Sequence, residues 1–508
     1  MLSRLHRTAV GLFAVALIAA CVSTRAQVTL AQPIEKALGT IANHVAAGDL
    51  NRDGRVDLAI ALSTGKVVIV WNNGNGDYTV GTQYTVGTTP SCVAIGELTG
   101  DLYMDIAVAN KGSNNVTVLK GSSSGTFSLH QTVAVPGLVY ASNPAWLAIA
   151  DMTNDGKNDI VTANNGDRSI SVLVNTGTSF TATTSSTGLL LGRPRCLGVG
   201  DFNKDGKLDA AITTDLEASA KVFFGDNKGG FTSSVSKVTS QTTGGLAVGD
   251  LNNDSYLDLV VTNDANIGGV QVILGQSGGA FAEPVRYATF ANTKHVILAD
   301  LDWDGALDIV SAQAGTPDLS LFINNGNGTF RSCYQYSTND FTKNGLASAD
   351  MDNDGLADIV MIQSNNSTGI CNNLTPKLES IALNPPTTAV GNAVLGTVNL
   401  NRPAPPEGSK ITLTCTNPSV INVPTTFTVP AGQTTGTFVM AAQAAGTATV
   451  TGTFNRRFFS DTITVTPVDQ PSVWPGDVNN DGKVDVTDIT IVARMSGGLD
   501  SIQWTPAD

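Results

Sequence analysis

Charge is scarce in this chain, and positive charge scarcest. Only 14% of the 508 residues are charged, and 29 Lys and Arg stand against 43 Asp and Glu, for a formal net charge of -14. The Lys and Arg form no basic patch, which excludes nucleic acid as a partner because phosphate binding rests on clustered cations. Histidine is rarer still, at four residues. His6 sits in the amino-terminal segment, and His44, His130 and His295 are scattered, with no HExxH, no Cys/His cluster and no GxSxG elbow. Six cysteines are too few and too dispersed for a disulfide scaffold. Long apolar runs are also missing, apart from residues 9–20 behind Arg4 and Arg7. That run is too short to span a bilayer and has the arrangement of a secretory signal over residues 1–26. It offers two exits, ordinary cleavage after Ala26 or a lipoprotein box ending at Cys21, whose acylation would tether the chain to a membrane. Either exit places the rest outside the cytoplasm, secreted or at a bacterial cell surface.

What the chain has is one acidic nonapeptide repeated about every 50 residues. The units read DLNRDGRVD, ELTGDLYMD, DMTNDGKND, DFNKDGKLD, DLNNDSYLD, DLDWDGALD and DMDNDGLAD. Side-chain oxygen recurs at positions 1, 3, 5 and 9, around a glycine at position 6 that can take the positive φ of a tight turn. Calcium is a hard cation that takes six to eight oxygens, so such a loop suits it. The candidate ligands are Asp49, Asn51, Asp53 and Asp57 in the first unit, and Glu97, Asp101 and Asp105 in the second. The third supplies Asp151, Asp155 and Asp159; the fourth, Asp201, Asn203, Asp205 and Asp209; the fifth, Asp250, Asn252, Asp254 and Asp258. The sixth and seventh carry four carboxylates each: Asp300, Asp302, Asp304, Asp308 and Asp350, Asp352, Asp354, Asp358. Occupancy is expected to be graded, because Glu97, Thr99 and Leu102 weaken the second unit, Thr153 thins the third and Ser255 stiffens the fifth.

Around each loop the same frame returns. Apolar stretches such as CVAIG and WLAIA lead in, others such as DIAVA and DIVMI lead out, and a valine-rich strand ends in a turn such as NNGNGDY or GDNKGGF. Branched residues at period two between Gly/Asn turns read as short antiparallel strands, about four to a unit. Four strands in a 40–50-residue period mark a propeller. The reading is all-β, with seven blades over residues 27–375. The ring would be closed by pairing an apolar segment near residues 28–34 into the last blade.

These units resemble the FG-GAP and VCBS repeats of integrin-alpha-type propellers over roughly residues 28–375. The resemblance implies that the loops rigidify one face and that recognition uses connections elsewhere, here 88–91, 139–145, 239–244 and 339–345 with the turns at 110–115, 164–167 and 264–268. Tyr140 and Trp146 are the neighbouring aromatics there, although a Trp at a strand start reads as core. Cys92 and Cys196 fall on equivalent strands, expected to lie too far apart in one ring to bond, while Cys333 and Cys371 are the pair placed to bridge.

Residues 376–467 change pattern, with alternating strands such as SKITLTC and TGTFVMA at the spacing of a small sandwich, and NPSVINVPTTFTVPAGQTTGTF resembles bacterial Ig-like modules. This reads as a spacer. In residues 468–508, Asp477, Asn479, Asp481, Asp485 and Asp488 occupy positions 1, 3, 5, 9 and 12 of an EF-hand-like calcium loop with Gly482 at position 6. The segment resembles one dockerin repeat, which implies a cohesin-like partner. A dockerin has two repeats and this tail shows one, so a calcium-stabilised cap is the alternative.

Function follows from these readings. Carboxylates in this register are metal ligands, and a bound cation holds them ionised and unfit as general acids, so the chain is not expected to be an enzyme. The expectation is a calcium-stabilised recognition or adhesion protein that binds carbohydrate or a surface protein. A scaffold docked through its tail is the alternative, and a propeller-type polysaccharide-degrading enzyme is a third.

Overall fold

Alternating apolar residues between glycine-rich turns build sheets here and almost nothing else. The structure, a computed structural model, describes residues 28–468 apart from 240–242, 264–267, 290–291, 314–315, 332, 339 and 341, and only the backbone of 342–344. The signal segment with Cys21 and the tail loop at 477–488 lie outside the described residues. The only helical piece among those described is a short 3-10 turn, Ser277–Gly279.

The first compact unit ends at Thr375. It contains seven four-stranded antiparallel sheets, a β-propeller-like arrangement. The first sheet runs Ala42–Gly48, Asp57–Leu62, Lys66–Gly74, Asp77–Thr85 in spatial order. Its inner strand packs beside the next inner strand, Pro90–Gly96, and beside that of the seventh sheet, Thr342–Ala349. Between these come the inner strands Pro144–Ala150, Pro194–Gly200, Thr243–Gly249 and Thr293–Ala299, each next to its successor, so the series closes on itself. Second strands are buried on both faces: all six residues of Asp57–Leu62 are buried, as are all six of Asp358–Gln363. Apolar clusters fill the spaces between sheets. Ile60 and Val68 meet Val360 and Ile370 between the first and seventh sheets, and Val161 and Val172 meet Ala210 and Ile212 between the third and fourth.

The seventh sheet is assembled from both ends of the unit. Ile34–Ala37 pairs antiparallel with Ser367–Cys371, and Val28 and Leu30 are buried between the sixth and seventh sheets. The closing strand therefore lies slightly beyond the apolar segment expected to provide it. Cys333 packs between the fifth and sixth sheets and Cys371 between the sixth and seventh, so the expected bridge is not made: the sixth sheet separates them, and none of the five described cysteines is in a disulfide.

The second unit begins at Pro376. A three-stranded sheet (Leu378–Asn384, Ala393–Leu400, Thr435–Ala441) and a five-stranded one whose middle strands are Ser409–Cys415, Gly446–Phe454 and Arg457–Thr466 turn their alternate apolar residues inward. Ile381 and Val398 from one sheet share a core with Ile411, Val450 and Ile463 from the other. The SVINV segment, expected as a strand, contributes only an isolated bridge at Ile421.

Ring closure can be tested by deleting residues 28–37. Val28 and Leu30 would lose burial worth about 1.5–3 kcal/mol each, and the edge at Ser367–Cys371 would be bared. Denaturant unfolding of the first unit should show a loss of about 3 kcal/mol or more, together with a rise in aggregation.

Candidate metal centre

Each nonapeptide is the connection between an inner strand and the second strand of its sheet, and the register is the same in all seven. The residue before position 1 pairs with position 9: Gly48 with Asp57, Gly96 with Asp105, Ala150 with Asp159, Gly200 with Asp209, Gly249 with Asp258, Ala299 with Asp308 and Ala349 with Asp358. Eight residues are thereby held in one tight turn. Position 6 has positive φ throughout, including Leu102 at 72° and Ser255 at 67°, where glycine is replaced.

Position 9 does something the spacing did not reveal. These seven aspartates are fully buried, and both oxygens of each accept backbone N–H groups. Asp308 Oδ2 accepts from Leu301 N (2.9 Å) and Oδ1 from Asn324 N (2.8 Å), and Asp57 does the same with Leu50 N (3.1 Å) and Asn72 N (2.9 Å). The side chain therefore clasps the loop to the start of the third-strand turn, whatever it contributes to a metal.

Positions 1 and 5 shape the loop as well. Asp201 accepts N–H from Asp205 (3.1 Å) and Gly206 (2.8 Å), and Asp205 Oδ1 accepts from Lys207 N (3.0 Å). In the first, third and fourth loops the other oxygen of position 5 faces a cation at position 7: Arg55 on Asp53, Lys157 Nζ on Asp155 at 2.6 Å, and Lys207 Nζ on Asp205 at 3.0 Å. The second loop is organised differently, with Glu97 Oε1 accepting N–H from Thr99, Gly100 and Asp101 and with Lys120 on Asp101 at 3.0 Å. The fifth keeps the turn, Asp250 accepting from Ser255 N at 2.7 Å, with Asn252 Oδ1 turned to Asp254 N at 3.1 Å.

The sixth and seventh loops have Ala306 and Leu356 at position 7, and no cation there. Among the described residues, these alone gather three carboxylates with oxygens within 4.8 Å of one another: Asp300, Asp302 and Asp304, and Asp350, Asp352 and Asp358. Asp302 is 1% exposed, and its Oδ1 is buried without a hydrogen-bond partner. Burial, then the neighbouring Asp304 and Asp300, push its carboxyl up to about 7. Burial and Asp302 push Asp308 up to about 8, and burial with Asp352 and Asp354 takes Asp358 to about 7. A buried carboxylate oxygen with no donor, crowded by like charge, fits a hard divalent cation.

Adjacent loops are also tied together. Asn72 Nδ2 donates to Met351 O of the seventh loop at 2.8 Å, Asn175 to Leu98 O of the second at 2.9 Å, Asn324 to Leu251 O of the fifth at 2.8 Å and Asn373 to Leu301 O of the sixth at 2.9 Å. The first Asn or Gly of each NNGNG-like turn thus has a structural assignment. Asn reaches the carbonyl after position 1 of the preceding loop. Gly121, Gly225 and Gly275 stand where a Cβ would meet a backbone oxygen of their own loop at 2.1–2.3 Å.

Two of the scattered histidines come together in space, while His130 lies exposed on the outer strand of the second sheet. His44, Trp146 and His295 begin the inner strands of the first, third and sixth sheets and meet at the centre of the ring, with ring centroids 4.6 Å apart for His44–Trp146 and 5.8 Å for Trp146–His295. Trp146 packs into the core as expected, and Tyr140 is 73% exposed. Cys92 and Cys196, expected to lie too far apart to bond, make no disulfide, and burial raises both thiols to about 12, so each influences its surroundings as a neutral group. Equivalent repeat positions point to one axis, and that equivalence was the available signal.

Comparison with known proteins agrees with this geometry. The model described as FG-GAP-like repeat matches residues 49–108, 97–162, 151–212, 201–261, 250–311 and 300–361. No curated protein matches the chain. Two solved structures of BBS1N in complex with ARL6DN are similar in fold. The one soaked with lead has a TM-score of 0.50 and 11% identity, covering 67% of this chain and 96% of that one. The one soaked with mercury has a TM-score of 0.52 and 12% identity, covering 68% and 97%.

Two predictions follow from the loop chemistry. Asn324→Ala leaves Leu251 O and Leu307 O without their donor, so it should cost about 2 kcal/mol in denaturant unfolding. In chelator, Asp302, Asp308 and Asp358 hold protons in the folded chain at pH values where the unfolded chain, with carboxyls near 4, has released them. Stability must then fall as pH rises through that window, and unfolding at about pH 8 should need less denaturant than at about pH 5.5.

Proposed function

The chain belongs to the FG-GAP-like repeat family, and from that premise we propose that it is a non-enzymatic recognition protein, a seven-bladed propeller stiffened by calcium at one end of the ring. The observation that carries the reading is the pair of carboxylate clusters in the sixth and seventh loops, where no side-chain cation at position 7 offsets the charge. Asp300, Asp302 and Asp304 would hold one ion and Asp350, Asp352 and Asp358 another, and the ion would supply charge neutralisation and a rigid loop. The loops with Arg55, Lys157 and Lys207 carry their own counter-charge and bind more weakly. Millimolar calcium outside the cytoplasm suits such sites, in keeping with a secretory signal at residues 1–26.

Recognition then belongs to the end away from the loops. There the carboxylate of Glu217 accepts N–H from Leu190, Leu191 and Gly192 at 2.8–3.0 Å and presents the two leucines outward, 83% and 66% exposed. Val139 and Tyr140 on the preceding connection are 78% and 73% exposed. Ordered backbone beneath exposed apolar and aromatic side chains suits a carbohydrate or a surface protein. The Ig-like second unit acts as a spacer in this reading.

Calorimetric melting of residues 27–508 with calcium and with chelator, with bound metal counted, tests the proposal. A large calcium-dependent rise is expected; no shift and no bound ion would remove it. Asp302→Asn gives the sharper sign. It should raise the melting temperature in chelator, by removing a buried charge, and reduce the gain on adding calcium. An unchanged calcium gain would take the sixth loop out of the metal set.

A further inference from the structure

Two positions of the repeat approach each acidic loop from outside it. The first is the residue before the Asn or Gly whose N–H the ninth aspartate holds, and its side chain lies beside position 3 of its own loop. A Cβ on Gly125 would meet both Asn51 and Trp71, one on Gly279 both Asn203 and Phe224, and one on Gly328 both Asn252 and Leu274. The second is the aromatic that ends the Gly/Asn turn, which shares a core cluster with position 2 of the preceding loop: Phe127 with Leu50, Phe180 with Leu98, Phe231 with Met152, Phe281 with Phe202 and Phe330 with Leu251. Burial keeps both positions apolar almost throughout.

The seventh loop breaks the pattern at both. Where five sheets carry Trp71, Val174, Phe224, Leu274 and Ile323, the seventh has Asn372, whose Nδ2 donates to Asp352 Oδ2 at 3.2 Å. The remaining exception, Lys120 in the second sheet, pairs with Asp101 and neutralises its own loop. An amide carries no charge and cannot do that. Asn372 Oδ1 is buried, and no described residue donates to it. Where five turns carry Phe, the first sheet has Tyr78, which is 3% exposed and packs with Met351 of the seventh loop. Its hydroxyl is also buried without a hydrogen-bond partner among the described residues. Burial first, then the carboxylates of Asp358 and Asp352, hold it well above the ordinary phenol range. Buried polar atoms without partners are costly, and here two of them, an amide oxygen and a hydroxyl, flank one carboxylate cluster.

We propose that the cation of the seventh loop is held by more than the loop: Asn372 supplies it an amide oxygen beside Asp350, Asp352 and Asp358, and Tyr78 lends a hydroxyl to its outer shell. The inference rests on the calcium reading above. Calcium takes amide and carboxylate oxygens alike, and a neutral oxygen fills its shell without adding like-charge repulsion. The sixth loop has only apolar neighbours at these places, Ile323 and, packed on Leu301, Val28 and Leu30. The seventh loop therefore holds its ion more tightly than the sixth. Tyr78 belongs to the first sheet, and at the same seam Asn72 reaches Met351 O and Asn353 Nδ2 donates to Gly54 O at 3.1 Å. An ion there joins the two sheets between which the ring closes.

The test is isothermal titration calorimetry of the full chain with calcium chloride, with melting in calcium and in chelator as a second readout. Asp352→Asn marks the seventh loop by abolishing one binding phase, and that phase should be the tightest in the unaltered chain. Asn372→Ile copies the sixth sheet and should weaken the same phase about tenfold or more, and Tyr78→Phe copies the other turns and should weaken it several-fold. In chelator Tyr78→Phe should melt no lower than the unaltered chain, since it removes a buried hydroxyl without a partner, and in calcium it should melt lower. A merely structural hydroxyl would move both melts alike, which keeps the test decisive if Asn372→Ile misfolds. An unchanged seventh-loop phase in Asn372→Ile, or equal melting shifts of Tyr78→Phe in calcium and in chelator, would overturn this inference and leave the calcium reading standing. No calcium binding by the unaltered chain would remove both.

Discussion

The clasp made by the ninth residue of each loop is the constraint on which the rest of the first unit depends. An aspartate with no exposed surface must satisfy both oxygens, and in every sheet it does so with two backbone N–H groups, one at the start of its loop and one at the turn after the third strand. Burying a carboxylate is costly unless it is hydrogen-bonded in this way, so the cost enforces one loop length and one register seven times over. Because the register is common, positions 1, 3 and 5 meet at the same place in each loop. Because the third-strand turn is held too, an Asn on that turn can reach the carbonyl of the preceding loop, which joins the first, seventh, sixth and fifth loops into a belt and ties the third to the second.

The belt gathers negative charge, and the sequence resolves that conflict in two ways. Arg55, Lys157 and Lys207 place a cation on their own loops, at positions where a strand-directed side chain would otherwise lie idle. Ala306 and Leu356 do not, and it is in those loops that buried carboxyls are pushed furthest from their ordinary range. Position 7 does not act alone: the second and fifth loops have Tyr103 and Tyr256 there, and what sets the sixth and seventh apart is an aspartate at position 3, Asp302 or Asp352, together with the missing cation.

The axis shows the complementary principle. A repeat supplies the same backbone seven times, and chemistry arises where the repeat is broken. Histidine and tryptophan at the start of three inner strands produce a mixed aromatic centre that a uniform repeat would not contain.

The period-two alternation, the nonapeptide spacing and the Gly/Asn turns determined the strands, the loops and their order in the chain, because each is encoded within a few neighbouring residues. The rank of the sixth and seventh loops was legible in the same way, as four carboxylates in nine residues. The dual use of Asp57 and its six equivalents was not, since a ligand and a clasp share one residue type, and only the position of Asn72 or Asn324, some fifteen residues on, distinguishes them. Nor was the meeting of His44 with His295, or the separation of Cys333 from Cys371. Those distances depend on how seven sheets close into a ring, which turns residues 251 positions apart into neighbours of one tryptophan and puts residues 38 positions apart on opposite sides of a sheet.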